Sequence, residues 1–336
     1  MTLGYDVAHD FIDHINARVF LYICSCSFAH LPLSRYPTTM LDTNGGLPTM
    51  DELSLFMNDS PLSISSTFGP KDSRSPINMI LLSSDLIVFY VNESTLLKAS
   101  TNSFNNMLPR ETKGKFERLL FLSDTTSSEL DLILRAIYNI SSDVAPPANT
   151  DVRNVTGVID KFPSFGIQPR KCITSKSRLF QYLLSCAPIY PLHIYALAAH
   201  HDMDDLAVAV SSHTLVRDLS EITDDLANRM GSRYLMRLFQ LHLTRTQTLK
   251  NLLATQLGLH TPTARCGFDG QRLLKQKWIL AVAALLYAVK PDTTTAIIRD
   301  TIVAHTSDLG CPDCLKVRDE RLDSILRYWA AASRTI

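Results

Sequence analysis

Residues 77–108 read INMILLSSDLIVFYVNESTLLKASTNSFNNML, and the spacing of their apolar side chains changes partway along. Ile77, Met79 and Leu81 alternate with Asn78 and Ile80 until Ser83, Ser84 and Asp85 turn the chain. Leu86 to Val91 then forms a second run rich in β-branched and aromatic residues, and both runs predict strands. After Asn92 the period becomes helical, because Leu96, Leu97, Ser100, Phe104, Met107 and Leu108 recur at intervals of three and four. The expectation is a hairpin leading straight into one amphipathic helix that continues to residue 108.

These residues resemble the opening of the BTB (POZ) domain, in which an acidic residue, a strand, and then a helix carrying Leu, Ser and Phe follow in order. The matching positions are Asp85, Phe89, Val91, Leu96, Leu97, Ser100 and Phe104. Asn92 and Glu93 depart from the family's His and basic residue, and the gap from Ser100 to Phe104 is one residue longer than usual. KASTNSFNNMLP at 98–109, LILRAIYN at 132–139, APIYPLHIYALAAHHDMDDLA at 187–207, RMGSRYLMRLFQLHLTR at 229–245 and the final RTI are similar to a subgroup of that family in basidiomycete fungi. The likeness extends over roughly residues 75–336. It implies protein–protein association, with homodimerisation through the BTB domain and recruitment of a further protein partner. Some family members link substrates to cullin-type ubiquitin ligases and others act with transcription regulators. The ligase role calls for an apolar residue two before a Glu, to which residues 125–129 offer no convincing match, and no zinc-finger array supports the transcription role.

Lys plus Arg and Asp plus Glu each number 33, so no overall field draws the chain to nucleic acid or anionic lipid. Neither is expected as a partner. Arg170-Lys171 and the Arg272, Lys275, Lys277 group lie beside apolar residues and read as solvated helix faces. With 46% hydrophobic residues the chain can bury a substantial core. Residues 279–289 are apolar but shorter than the roughly 20 residues a spanning helix needs, and they read as a buried helix. Asp10, Asp13, His14 and Arg18 precede the apolar run at 19–28, which argues against a secretory signal. Seven irregularly spread cysteines argue against a disulfide framework. The expected location is intracellular, cytoplasmic or nuclear.

The predicted fold class is α+β, a BTB/POZ domain with a small sheet flanked by helices, followed by an all-helical domain. Residues 1–75, rich in Pro, Ser, Thr, Asn and Gly, read as a disordered leader that adds little to the core. Residues 76–187 form the BTB domain and 188–336 the helical one. Within the first, residues 118–122 predict a third strand, Ser127-Ser128-Glu129 opens a helix to residue 140, and Val152, Val155, Val158, Ile159 and Phe162 mark another. Beyond Pro191, helical stripes include Ile194, Leu197 and Ala198; Leu206 and Val210; and Tyr234, Leu238, Leu241 and Leu249, with Gly231 as a stop before the last. Two more helices are expected around Trp278 and Trp329.

No Gly-rich phosphate loop, Gly-x-Ser-x-Gly elbow or His-Glu-x-x-His is present, and the expectation is a non-enzymatic chain without a cofactor. His200, His201 and Asp205 suggest a hydrolase at most. Adjacent helical positions point about 100° apart, so a helix end followed by an Asp-rich helix start explains the same letters. Cys311-Pro312-Asp313-Cys314 is the sharper candidate, since a Cys-x-x-Cys turn can present two thiolates to zinc. Cys266 could add a third ligand and His260 or His305 a fourth, though none stands at a short zinc-motif spacing. A helix start with semi-buried thiols accounts for the same residues, and a zinc-stabilised regulatory module is the alternative.

Overall fold

A computed structural model describes residues 63–70, 76–108, 118–139 and 152–336. The chain is mixed α+β, mostly helical, with one four-stranded sheet. It divides into two compact units, the first comprising residues 1–140 and 157–168 and the second 141–156 and 169–336. Residues 169–187, expected to close the first domain, thus belong with the helices that follow. Among the described residues no helix is long and apolar enough to cross a membrane.

In the first unit, β2 (Met79–Ser83) and β3 (Ile87–Val91) form the expected antiparallel hairpin, with Leu81 opposite Phe89 and Leu82 opposite Val88. β4 (Arg118–Leu122) returns parallel to the other edge of β2. Every residue of β2 is buried, so both faces of the hairpin are covered. Ile80, Leu82, Val88 and Tyr90 cluster on one face. This explains why the strands read as almost unbroken apolar runs.

β1 (Ser63–Ile64) pairs parallel with β3, giving the order β1-β3-β2-β4. This corrects the expectation that residues 1–75 add little to the core. Phe68 is fully buried, its ring centroid 6.1 Å from Phe89 and 5.5 Å from Tyr138, and its carbonyl accepts from the Tyr90 amide at 2.9 Å. Residues 1–62 and 71–75 of the predicted leader lie outside the described residues.

Asn92 caps α1 (Glu93–Ala99), accepting from the Thr95 amide at 3.0 Å. The helix stops at Ser100, short of the predicted residue 108. Ser100 Oγ donates to the Phe165 carbonyl at 2.7 Å and accepts from the Phe104 amide at 2.7 Å, while the Thr101 amide donates to the Gly166 carbonyl. Polar partners distant in sequence therefore replace the next helical turn. Ser103, Phe104, Asn105 and Asn106 take left-handed φ angles, and the Phe104 ring is buried 4.8 Å from Phe165. α2 (Ser127–Tyr138) begins with a capping box between Thr126 and Glu129. α3 (Val152–Lys161) carries the predicted apolar stripe, and Val152, Val155, Val158 and Ile159 are all buried.

Beyond the opening residues of α3, the described residues of the second unit form only helices and one isolated bridge. α4 (Pro169–Cys172), α5 (Arg178–Cys186), α6 (Pro191–His200) and α7 (Asp204–Thr214) precede the long α8 (Asp224–Ala254), which breaks at Gly231, where φ is 69° and ψ 164°. α9 (Phe268–Tyr287), α10 (Thr295–His305) and α11 (Pro312–Ala331) complete it. Leu249, Trp278, Ala281, Ile298, Ile302, Ile325 and Trp329 form the core joining the last four helices. α9 is not the buried helix expected of its apolar run. Trp278, Ala281 and Leu285 face inward, whereas Ile279, Leu280 and Tyr287 are exposed. α10 was not foreseen. Thr294 caps it, but Thr295, Ile297, Ile298, Thr301, Ile302 and Val303 are β-branched and individually poor helix formers.

Candidate metal centre

Three groups of residues carry the chemistry expected from the sequence, one in the first unit and two in the second. In the first, Asp85 follows the end of β2, and its carboxylate accepts from the Ser127 amide at 2.7 Å and from the Ser127 hydroxyl. Burial works against its charge, but hydrogen bonds from Ser127 and Ser83 outweigh it and hold the carboxyl below its ordinary range. Asp85 thus fastens the hairpin turn to the start of α2. Phe89, Val91, Leu96 and Phe104 are buried, Leu97 and Ser100 partly so. Their roles are packing and the turn-forming contacts of Ser100.

In the second unit, His200 ends α6 and His201 is its C-cap. Because the backbone leaves the helix there, the two rings meet edge to face at 4.8 Å instead of diverging by 100°. The neighbouring carboxylates serve as structural anchors. Asp202 accepts from the Tyr234 hydroxyl at 2.8 Å, and Arg237 pairs with Asp204, whose carboxyl it holds below the ordinary range. Tyr195, fully buried, donates to the Tyr234 carbonyl at 2.9 Å. Asp205, in the first turn of α7, is exposed.

The remaining candidates converge. Cys311 is the N-cap of α11, Pro312 opens the helix, and Cys314 sits in its first turn. A helix start brings thiols three residues apart to the same side. Residues 255–267 connect α8 to α9 with no helix or strand of their own beyond the bridge between Thr263 and Cys266. That bridge, closed by amide–carbonyl bonds of 3.0 and 3.1 Å in both directions, directs Cys266 back under the loop. His260, from the same loop, supplies the fourth group.

One donor atom each from His260, Cys266, Cys311 and Cys314 lies within 4.8 Å of the others. The Cys266 and Cys314 sulfurs are 3.6 Å apart, and His260 Nε2 is 3.3 Å from Cys314 Sγ and 3.8 Å from Cys311 Sγ. His260 Nδ1 faces the Thr261 carbonyl at 2.7 Å. A carbonyl only accepts, so in the tautomer that bonds Thr261 the proton sits on Nδ1 and Nε2 turns a lone pair toward the thiols. The buried Gln271 side chain donates to the His260 carbonyl at 2.7 Å and holds the loop in place. Leu274 and Leu309 pack against Cys266 and Cys314.

The sulfurs are electrostatically distinct. Backbone bonding from Cys314 in the first turn of α11, the largest influence, lowers Cys311 to about 7. Burial drives Cys314 up to about 12 and also raises Cys266. Among the described residues the five cysteines Cys172, Cys186, Cys266, Cys311 and Cys314 form no disulfide. His305, the other imidazole considered, bonds instead to the Thr301 carbonyl one turn back on its own helix.

Comparison of the chain with protein-family models, with curated proteins and with solved structures found no match.

Proposed function

We propose that this chain is a non-enzymatic protein–protein interaction module of the BTB type, which self-associates through its α+β unit and recruits a partner protein. The supporting observation is the order of elements around the sheet: an antiparallel β2–β3 hairpin, α1 directly after it, and β4 returning parallel to β2 before a capped α2. Asp85, bonded to Ser127, ties the hairpin to α2. Such a unit presents rigid elements on which another chain can dock. The carboxylates beside His200 and His201 are engaged by Tyr234, Arg233 and Arg237, which favours an anchoring role over hydrolysis.

Light scattering on the purified full chain tests the self-association. A dimer mass persisting on dilution is the expected result, and a monomer at every concentration refutes it. Affinity capture from the source cells then separates the two roles. A cullin scaffold among the captured proteins supports a ubiquitin-ligase substrate adaptor, and transcription regulators support a transcription-associated scaffold.

A further inference from the structure

We infer that His260, Cys266, Cys311 and Cys314 bind one zinc ion in a closed, tetrahedral structural site. Zinc–sulfur bonds of about 2.3 Å and zinc–nitrogen bonds of about 2.0–2.1 Å, at tetrahedral angles, require donor separations of about 3.8 Å between sulfurs and about 3.6 Å between sulfur and nitrogen. The observed 3.6 Å between the Cys266 and Cys314 sulfurs falls slightly short of the first value, and the 3.3 and 3.8 Å from nitrogen to sulfur lie on either side of the second. Four donors from two separate stretches of chain, all within 4.8 Å of one another, are thus gathered close to the spacing of the required polyhedron.

The donor set selects the metal. Three thiolates and an imidazole are too soft for magnesium, calcium or manganese, which favour oxygen, and Cys3His is an established zinc set. The proton on Nδ1 of His260, directed at the Thr261 carbonyl, leaves Nε2 as the ligating atom, and a carbonyl partner of this kind is what orients metal-bound histidines elsewhere. Gly270 adds an independent sign of a fitted site. A Cβ there would come 2.9 Å from Cys266 Sγ, so glycine leaves the sulfur its position. Four protein donors leave no coordination position open for a substrate, which makes the site structural and not catalytic.

Its work is mechanical. His260 and Cys266 belong to a long connection with little backbone pairing of its own, and Cys311 and Cys314 to the start of α11. A shared ion fastens that loop to the helix, and so closes a long stretch of chain whose closure entropy the metal bonds offset.

The test is metal analysis of the full chain purified without chelators, joined to cobalt exchange. The expected results are about one zinc per chain and, with cobalt, the visible absorption of a tetrahedral centre with intense thiolate charge-transfer bands. Cys311→Ser and Cys314→Ser lose the ion, Cys172→Ser keeps it, and Gln271→Ala weakens zinc binding by roughly tenfold or more. Wild-type protein refolded with zinc that holds no metal and shows all four groups free overturns the inference. So does an intact mass lighter by two hydrogens that maps to a Cys266–Cys314 disulfide, or a cobalt spectrum of octahedral type. The wild-type cobalt spectrum keeps the test decisive if the serine variants fail to fold.

Discussion

Arg245 offers the sharpest test of how the last helices are held. Its guanidinium is almost fully buried and donates from Nε to the Pro291 carbonyl at 2.7 Å and from Nη1 to the Ala332 and Ser333 carbonyls at 2.9 and 2.7 Å. It also lies 4.1 Å from the centre of the Trp329 ring. Arg245→Met keeps the aliphatic stem, so no large cavity opens, but it strands three acceptors. Each orphaned acceptor costs about 1 kcal/mol at the lower end of the usual range, and the lost cation–π contact about 1 kcal/mol more. Burial disfavours the charged guanidinium, as its lowered pKa indicates, so its removal recovers about 1 kcal/mol of desolvation. The net loss is about 3 kcal/mol, equivalent to about 6–12 °C in Tm for a unit of this size. Urea unfolding followed by tryptophan fluorescence measures it cleanly, because Trp278 and Trp329 are the chain's two tryptophans and share one core. Arg245→Lys, with a single ammonium in place of a fork, falls between the two. A Met variant within about 0.5 kcal/mol of wild type refutes the reasoning, since it means the carbonyls find other partners at no cost.

Three further outcomes follow from the first unit. Phe68→Ala removes a fully buried ring and costs about 3–5 kcal/mol, seen as faster amide exchange in β2 and β3; unchanged protection in the hairpin contradicts the role given to residues 63–70. Gly166→Ala costs about 1–2 kcal/mol for its φ of +70° alone. The cost rises further because the new Cβ meets the Asn102 backbone nitrogen at 2.6 Å, and a neutral effect in thermal unfolding sinks that reading. Asp85 has a folded pKa below its ordinary 3.8, so its contribution is complete above that value and fades as pH falls through the lower folded one. Exchange protection of the hairpin in wild type should therefore drop in acid, and Asp85→Asn should flatten that drop; equal acid slopes refute it.

How far the sequence could be read depended on the range of the interactions involved. The apolar runs of β2 and β3 and the helix opening around Ser127-Ser128-Glu129 are settled within a few residues, and both were legible, although the capping residue proved to be Thr126. The end of α1 was not. Its apolar period runs on to residue 108, but Phe165 and Gly166 supply hydrogen bonds to Ser100 and Thr101 that outcompete another helical turn. β1 escaped for a related reason, since a two-residue strand carries no period and gains its place from the exposed edge of β3 and from the pocket that takes Phe68. α10 was hidden by β-branched residues whose weak propensity is overridden by burial of Ile298 and Ile302.

The same division governs the candidate metal centre. The letters alone gave the Cys-x-x-Cys spacing of Cys311 and Cys314, which brings both thiols to one side once Pro312 opens a helix between them. They also determined the composition of the core and the absence of the common catalytic signatures. Only the tertiary structure decided that Cys266 and His260 complete the set and that His305 does not. His260 meets Cys314 across 54 positions. No local period encodes such a meeting, which comes instead from the way α9 and α11 bring a connecting loop to a helix start.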